Sequence, residues 1–335
     1  MREHKENRMR KNDVMSLLLL TMALLIIFPA NGLAADPPGI PDGWTNRFVY
    51  ANGIRLHYYH AVPATDKPVI VMVHGVTDNG LCWATLAFEL QDDYDIYMLD
   101  TRGHGLSDPF TTSDDGETLV KDVVDFIRVM NIENPILMGH SMGAATVMRV
   151  GAEYPDLAQA VIMLDPFISR PVGNRSDRAP QTPPKKSKEG DKAEDEVTEI
   201  SVAMFGEPEV LVKQNNYAFD DLVEKGKRDN PKWDIADIKY WALSKKQYHG
   251  PYSQEAWEAM RGTMMTGNAL SKIQVPSLVL KADTSPEGRK ANEEAIEGLD
   301  GITLIHMDDA AHNLHHDDLD RTVKEITVFL SSALK

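Results

Sequence analysis

Residues 135–153 read PILMGHSMGAATVMRVGAE, and the pentapeptide GHSMG at 139–143 decides the interpretation of the whole chain. The apolar run before it is typical of a buried strand, and the segment after it is typical of a helix. A sharp turn between such elements strains its central residue, and flanking glycines avoid collisions with neighbouring chain. Ser141, raised above the sheet at a helix N-terminus, is therefore the predicted nucleophile. An ordinary Gly-rich turn is the alternative.

A serine hydroxyl becomes a strong nucleophile only when a base takes its proton and an acid orients that base. His312 follows the predicted strand 302–306, and Asp283 follows the strand-like run 277–282. Both would lie beyond the carboxyl ends of parallel strands, where open sheets place ligands. The chain order Ser141, Asp283, His312 matches the order of this kind of triad. We therefore predict His312 as the base and Asp283 as the orienting acid.

Two further histidines compete with His312. His315 and His316 lie close to it but fall where the final helix begins, with Leu314 on its apolar side. The three histidines and their neighbouring carboxylates also allow a metal site, although no HExxH spacing is present. The prediction for the base stays with His312, and no metal is predicted.

The acid has a rival as well. Asp165 also ends a predicted strand and is a plausible alternative to Asp283 as the residue that orients the imidazole. Asp308 and Asp309 precede His312 too closely to turn and hold it.

Acyl transfer also needs backbone amides that face the developing oxyanion. His74, Gly75 and Val76 close an apolar strand, and Gly75 permits a tight turn there. The amides of Val76 and Met142 are the predicted oxyanion hole, whereas the His74 side chain is interpreted as a structural turn residue.

Short apolar runs alternate with helix-length segments from residue 47 onward, which is typical of an α/β fold with helices on both faces of the sheet. The expected fold is a doubly wound, mostly parallel, eight-stranded sheet. Its first two strands are expected to be antiparallel around a turn at 50–53. The second of these two strands is predicted at 54–61, and the later strands are predicted at 68–73, 95–99, 135–138, 160–164, 276–281 and 302–306.

The alternation stops between 167 and 270, which predicts a helical insertion between core segments 36–166 and 271–335. Its first part, 170–199, holds 14 charged residues and four prolines, a composition typical of a mobile loop. Its second part is amphipathic. The aromatic residues there either roof a pocket or form the insertion's own core: Phe205, Phe219, Trp233, Tyr240, Trp241 and Trp257.

The composition is that of a globular protein and excludes several classes. The chain has 335 residues, and 35 Lys and Arg against 51 Asp and Glu give a net charge of −16. Such a surface repels phosphate backbones, so nucleic acid is not an expected partner. Cys82 is the single cysteine, which excludes an intramolecular disulfide and every multi-cysteine metal site.

The N-terminus has the pattern of an export signal. A basic lead at 1–13 precedes an apolar run at 14–28, and small residues follow up to Ala34. We expect cleavage near Ala34 or Ala35, removing about residues 1–35, and a secreted or periplasmic mature chain without stable membrane insertion. An uncleaved membrane anchor is the alternative.

Four motifs together resemble the α/β-hydrolase superfamily: HGVTDNG at 74–80, LDTRGHGLSDP at 99–109, GHSMG at 139–143 and AAHNLHHD at 310–317. The resemblance covers about 45–166 and 271–335, and it implies that the insertion is a helical cap and that no cofactor is required. The implied roles are Ser141 as nucleophile, His312 as base, Asp283 as acid, and Val76 with Met142 as oxyanion amides. Lys281, Ala282 and Asp283 replace the usual Gly-rich lead into the acid loop.

The predicted function is an exported serine hydrolase that cleaves a carboxylic ester of a small, partly apolar molecule through an acyl-enzyme. Serine at 141 argues against the epoxide hydrolases and haloalkane dehalogenases of the superfamily, which use aspartate there. Lactone, amide or carbon-carbon bond hydrolysis would use the same residues. A non-catalytic binding protein that keeps the fold is the alternative from another class.

Overall fold

A computed structural model of the chain describes residues 37–168, 203–204 and 207–335. The predicted export signal at 1–35 and the predicted charged loop at 170–199 lie outside the described residues. The description below concerns the body that begins at Pro37.

The centre of the molecule is an eight-stranded sheet with the order β1-β2-β4-β3-β5-β6-β7-β8. Strand β2 is antiparallel to β1 and β4, and all other neighbours are parallel. This confirms the predicted fold class. The strands are β1 Thr45–Ala51, β2 Ile54–Ala61, β3 Val69–Val73, β4 Asp95–Asp100, β5 Ile136–His140, β6 Ala160–Leu164, β7 Ser277–Ala282 and β8 Ile302–Met307.

Ten α-helices are described. They are α1 Ala84–Leu90, α2 Thr118–Val129, α3 Met142–Glu153, α4 Pro208–Asn215, α5 Phe219–Asp229, α6 Ile235–Gln247, α7 Gln254–Thr263, α8 Pro286–Ile296, α9 Leu314–Asp317 and α10 Leu319–Ala333. None of the described helices combines the length and the apolar character that crossing a bilayer requires.

The sheet is buried on both faces because alternate residues of its central strands enter two different cores. Ile70 and Met72 of β3 face the core covered by α1 and α10, whereas Val71 and Val73 face the core covered by α2 and α3. Successive side chains of a strand point to opposite faces, so a continuous apolar run satisfies both cores. This explains why the central strands read as uninterrupted Val, Ile, Leu and Met.

Helices α4 to α7 lie between β6 and β7, where the sequence predicts the helical cap; its boundaries at 167 and 270 stay a prediction. Trp233 packs with Leu222 and Ile238 in a small core of its own, with Phe219 against it. Tyr240 joins the main core instead.

Helix α6 of this cap is hydrogen-bonded to the core near both of its ends. Asp237 near its start accepts a hydrogen bond of 2.6 Å from the Thr85 hydroxyl. Gln247 at its end accepts one of 2.7 Å from the Asn79 side chain. The helix therefore forms a fixed wall above the carboxyl edge of the sheet.

Candidate active site

The turn at Ser141 has the strained backbone that its sequence predicts. Its φ is 52° and its ψ is −112°, in a region that L residues rarely adopt. A Cβ on Gly139 would lie 2.2 Å from the Gly143 carbonyl oxygen, and one on Gly143 would lie 1.9 Å from the Val73 oxygen. Only glycine fits at these two positions, which is the physical reason for the GxSxG pattern. The turn places Ser141 between β5 and the first residue of α3.

A hydrogen-bonded chain of three side chains starts at this serine. The Oγ of Ser141 lies 2.9 Å from Nε2 of His312, and Nδ1 of His312 lies 2.6 Å from Oδ2 of Asp165. An ionised carboxylate only accepts hydrogen bonds, so the imidazole proton is on Nδ1. Nε2 is then free to accept the hydroxyl proton of Ser141. The structure thus brings Ser141 and His312 within hydrogen-bond distance of each other.

Asp165 reaches this position because it directly follows β6, the strand beside β5. The Ser141 amide donates to the Leu164 carbonyl at 3.0 Å, so Asp165 and Ser141 leave the sheet side by side. The backbone of Asp165 turns sharply, with φ of 44°. Its other oxygen, Oδ1, lies 2.5 Å from the Lys281 ammonium and accepts a hydrogen bond of 3.1 Å from the Ala282 amide.

This surrounding keeps Asp165 ionised. Burial raises the pKa of its carboxyl group, but the hydrogen bond from His312 and the positive charge of Lys281 outweigh burial and lower the pKa to about 2. Asp165 therefore carries a negative charge at neutral pH, as a carboxylate that orients an imidazole must.

The prediction that Asp283 holds His312 is corrected by the structure. Asp283 Oδ1 lies 2.5 Å from the Arg289 guanidinium and accepts from the Thr284 amide, and its Oδ2 accepts from the Asp309 amide. Its side chain is 38% exposed, against 12% for Asp165. Asp283 thus ties the β7 and β8 loops together, and the rival residue Asp165 holds the imidazole.

The predicted oxyanion amides lie at the same edge. Met142 is the first residue of α3, where the helix's own pattern supplies no partner for its amide. Val76 lines the cavity into which Ser141 opens. The neighbouring Gly75 packs so closely that a Cβ there would lie 2.8 Å from Nδ1 of His140. Their catalytic role stays a prediction.

The cavity at Ser141 has a volume of about 540 Å³. Trp241 and Trp257 of the cap line it, so these two aromatic residues form a roof, as one of the two interpretations of the cap predicted. The polar part of the cavity lining consists of the Ser141 loop and a buried ion pair. In this pair the Lys245 ammonium lies 3.0 Å from Oδ1 of Asp78. The remaining residues around it are Gly75, Val76, Thr77, His140, Met204, Arg261, Met264, His312 and Asn313.

A model of the alpha/beta hydrolase family matches residues 70–325, which include the whole constellation described above. The chain belongs to this family. The match confirms the resemblance carried by the four sequence motifs.

Individual relatives match this α/β hydrolase over shorter stretches. It is 35% identical to 2-(acetamidomethylene)succinate hydrolase of Mesorhizobium japonicum over 103 residues, which is 30% of this chain and 37% of the relative. It is 33% identical to N-formylmaleamate deformylase of Pseudomonas putida over 124 residues, 37% of this chain and 46% of the relative. The chain therefore spans less than half the length of these curated relatives.

The fold is shared more widely than the sequence. A crystal structure of E-2-(acetamidomethylene)succinate hydrolase superimposes with a TM-score of 0.59 at 20% identity and covers 86% of this chain and 99% of that one. At this identity the likeness concerns the fold alone.

Three further histidines of this hydrolase, His140, His315 and His316, are packed beside His312. Burial and, to a smaller extent, the neighbouring His312 lower the pKa of His140 to about 4, and the His140 ring lies 4.9 Å from the His315 ring. Burial also lowers the pKa of His315 well below its usual range. His316 is buried against Trp233. Within the described ranges no group of three His, Cys, Asp or Glu side chains is placed to hold a metal ion.

The sequence did not predict three cationic side chains at this site. Lys281 pairs with Asp165, Lys245 pairs with Asp78, and Arg261 lines the cavity. Only Lys281 left a signal, because it stands where the superfamily usually has a Gly-rich lead. Lys245 and Arg261 lie on cap helices, where nothing in the local pattern distinguishes a residue facing the cavity from one facing solvent.

Proposed function

We propose that this α/β hydrolase cleaves a carboxylic ester or a related acyl bond of a small molecule, with Ser141 as nucleophile, through an acyl-enzyme. The observation that carries the proposal is the hydrogen-bonded chain from Ser141 Oγ through His312 to Asp165, with distances of 2.9 and 2.6 Å. A hydroxyl in contact with an oriented imidazole at the floor of a cavity is the arrangement that acyl transfer needs.

In the first half of the reaction, Ser141 Oγ attacks the carbonyl carbon of the substrate while Nε2 of His312 takes the hydroxyl proton. The carbonyl oxygen becomes an oxyanion, which the amides of Val76 and Met142 stabilise by hydrogen bonds. When the tetrahedral intermediate collapses, His312 returns the proton to the leaving alcohol and an ester of Ser141 remains. Asp165 stabilises the transient imidazolium.

In the second half, water replaces the alcohol. His312 removes a proton from the water as it attacks the acyl carbon, and the same two amides hold the second oxyanion. The bond to Ser141 Oγ then breaks, His312 returns the proton to that oxygen, and the carboxylic acid leaves. The cycle consumes one water molecule and restores the three side chains.

An acyl–nitrogen bond is the second candidate. The name of one relative, N-formylmaleamate deformylase, describes removal of a formyl group from nitrogen, and 124 residues of this chain are similar to it. The same residues would serve, with His312 protonating an amine or amide leaving group instead of an alcohol. Rates on matched ester and amide substrates would rank the two bonds.

The test combines a covalent probe with a substrate panel. A fluorophosphonate is expected to add once, on Ser141, and Ser141→Ala is expected to lose both the adduct and about three orders of magnitude or more in turnover of 4-nitrophenyl esters. Ser271→Ala is the matched control, because it removes an exposed serine hydroxyl that bonds only to the Asn268 carbonyl among the described contacts. Absence of an adduct on the folded wild-type chain would support the binding protein instead.

We also propose that the enzyme acts outside the cytoplasm as a secreted or periplasmic protein. The support is the basic lead, the apolar run and the small-residue exit of residues 1–35. N-terminal sequencing of the chain recovered after expression with its own leader tests this. A new N-terminus near Ala35 or Asp36 is expected, whereas an intact leader in the membrane fraction would favour the anchored alternative.

A further inference from the structure

The charged side chains around the Ser141 cavity do not balance. Three of them are residues with a formal charge: Asp78, Lys245 and Arg261. The Lys245 ammonium is buried, 3.0 Å from Asp78 Oδ1, and it also donates to the Thr77 hydroxyl at 2.7 Å. Lys245 and Asp78 therefore neutralise each other, and the positive charge of Arg261 remains.

Arg261 has no carboxylate partner in the part of the chain that the structure describes. The arginines that form ion pairs there are Arg55, Arg102, Arg128, Arg149, Arg289 and Arg321. Arg47 and Arg228 also form no ion pair within the described ranges, but of these three arginines only Arg261 lines the cavity.

The position of Arg261 on α7 directs it toward the cavity. Trp257 and Met264 stand four residues before it and three residues after it, and all three line the cavity. Residues at these spacings share one face of a helix. A guanidinium on this face presents a planar pair of N–H donors, the geometry that matches a carboxylate in a bidentate contact.

We propose that Arg261 binds a carboxylate that the substrate carries in addition to its scissile acyl bond, so that the substrate class is the monoester or monoamide of a dicarboxylic acid. The proposal rests on the proposed function of Ser141. Arg261 fixes the free carboxylate at the cap, the apolar surfaces of Trp241 and Trp257 cover the connecting carbons, and the acyl carbon lies at Ser141. Arg261 is thus a specificity residue and takes no part in proton transfer.

A structural role for Arg261 predicts a different outcome. Arg261 stands in the last turn of α7, where a cation also interacts favourably with the helix dipole. Arg228 stands in the last turn of α5 and is exposed, as Arg261 is, but it does not line the cavity. Arg228→Gln therefore removes an equivalent helix-terminal charge and is the matched control for Arg261→Gln.

The test uses two substrates that differ only in the distal charge: the 4-nitrophenyl monoester of glutaric acid and its methyl-capped neutral form. Wild type is expected to favour the free carboxylate in kcat/KM by about 10-fold to 100-fold, as a charge-assisted hydrogen bond allows. Arg261→Gln is expected to remove this preference, because kcat/KM for the free carboxylate falls by that factor more than kcat/KM for the neutral ester. Arg261→Lys keeps part of it, and Arg228→Gln keeps all of it.

Equal rates of the two esters in wild type, or an equal loss for both in Arg261→Gln, would overturn the carboxylate site. Fluorophosphonate labelling separates this from failure of the proposed function: Arg261→Gln labels like wild type if only the specificity assignment is wrong. If neither protein labels or turns over, the proposed function fails.

Titration of monomethyl glutarate into Ser141→Ala measures binding at the proposed carboxylate site directly. If adding Arg261→Gln to this variant does not weaken the binding, the carboxylate site is contradicted.

Discussion

The Lys281 ammonium and the Asp165 carboxylate form an ion pair of 2.5 Å, on the oxygen of Asp165 that does not face His312. Lys281 also donates to the Pro166 carbonyl at 2.7 Å, so both the side chain and the backbone of the β6 turn are held from β7. One carboxylate oxygen is thus fixed by a cation and the other is left to the imidazole. Asp165 can orient His312 because its own orientation is determined.

Substitution of the two candidate acids separates their roles. Asp165→Asn is expected to lower kcat by about 10³-fold to 10⁴-fold, because an amide does not hold the imidazole in the tautomer that accepts the Ser141 proton. Asp283→Asn is expected to stay within a few-fold of wild type, since its partners are Arg289, Thr284 and Asp309. Steady-state rates on a 4-nitrophenyl ester measure both. The reverse order of effects would restore Asp283 as the acid.

The sequence predicts the nucleophile and the base but does not decide which of these two aspartates orients the imidazole. The patterns around Ser141 and His312 are local, and the parallel sheet brings their strand ends to one edge. Asp165 and Asp283 both satisfy that same rule. Which aspartate reaches His312 depends on the positive φ of Asp165 and on two ion pairs. Lys281 pairs with Asp165, and Arg289 pairs with Asp283. Local periodicity carries no information on such long-range polar contacts.

The cap illustrates the same limit. Helical periodicity predicted the insertion, and the aromatic residues there were open to two interpretations. The structure divides them, with Trp241 and Trp257 at the cavity and Trp233 in the cap's own core. Which residue faces the cavity follows from how the helices pack on the sheet.

Removal of the Lys281 charge tests whether the ion pair tunes the acid. Lys281→Met is expected to raise the pKa of Asp165 from about 2 toward its ordinary value, because Lys281 is one of the groups that lower it. We expect kcat to fall by about tenfold as the carboxylate loses its fixed orientation. Lys290→Met removes an exposed cation of α8 whose ion-pair partner is Glu294, and it is expected to have no effect. Unchanged kcat in Lys281→Met would contradict the positioning role.

Lys245→Met breaks a buried ion pair from one side. Asp78 and Thr77 would lose the ammonium to which they are bound, and the uncompensated carboxylate is expected to lower the free energy of unfolding by about 3 to 5 kcal/mol. Urea denaturation measures this loss. Lys239→Met on the same helix is the control, and it is expected to change stability by less than about 0.5 kcal/mol.

The double variant Lys245→Met/Asp78→Asn removes both charges and is expected to recover much of that stability, because no unpaired charge stays buried. A double variant as unstable as Lys245→Met would show that the pair is not the source of the effect.

Thr77, next to Val76, has a positive φ of 69°. Loss of its hydrogen bond to Lys245 is therefore also expected to lower kcat, through the oxyanion amide of Val76.

The buried histidines make stability depend on pH. Burial lowers the pKa of His74, His104, His140 and His315 in the folded protein, in the case of His140 to about 4. The unfolded chain binds protons at these residues near pH 6.5, so it holds more protons than the folded chain below that pH. Their stabilising contribution is complete above about pH 6.5 and is lost as the pH falls toward 4. His140 alone accounts for about 3 kcal/mol of it.

Urea denaturation between pH 8 and pH 5 measures this dependence. The free energy of unfolding is expected to be nearly constant from pH 8 to 7 and to fall below pH 6.5, with proton uptake on unfolding at pH 5.5. Asp165 adds little in this range, because its pKa of about 2 places its loss between about pH 4 and 2. A free energy of unfolding that stays constant down to pH 5 would mean that these four imidazoles are not buried in the neutral form, and the packing beneath Ser141 would have to be revised.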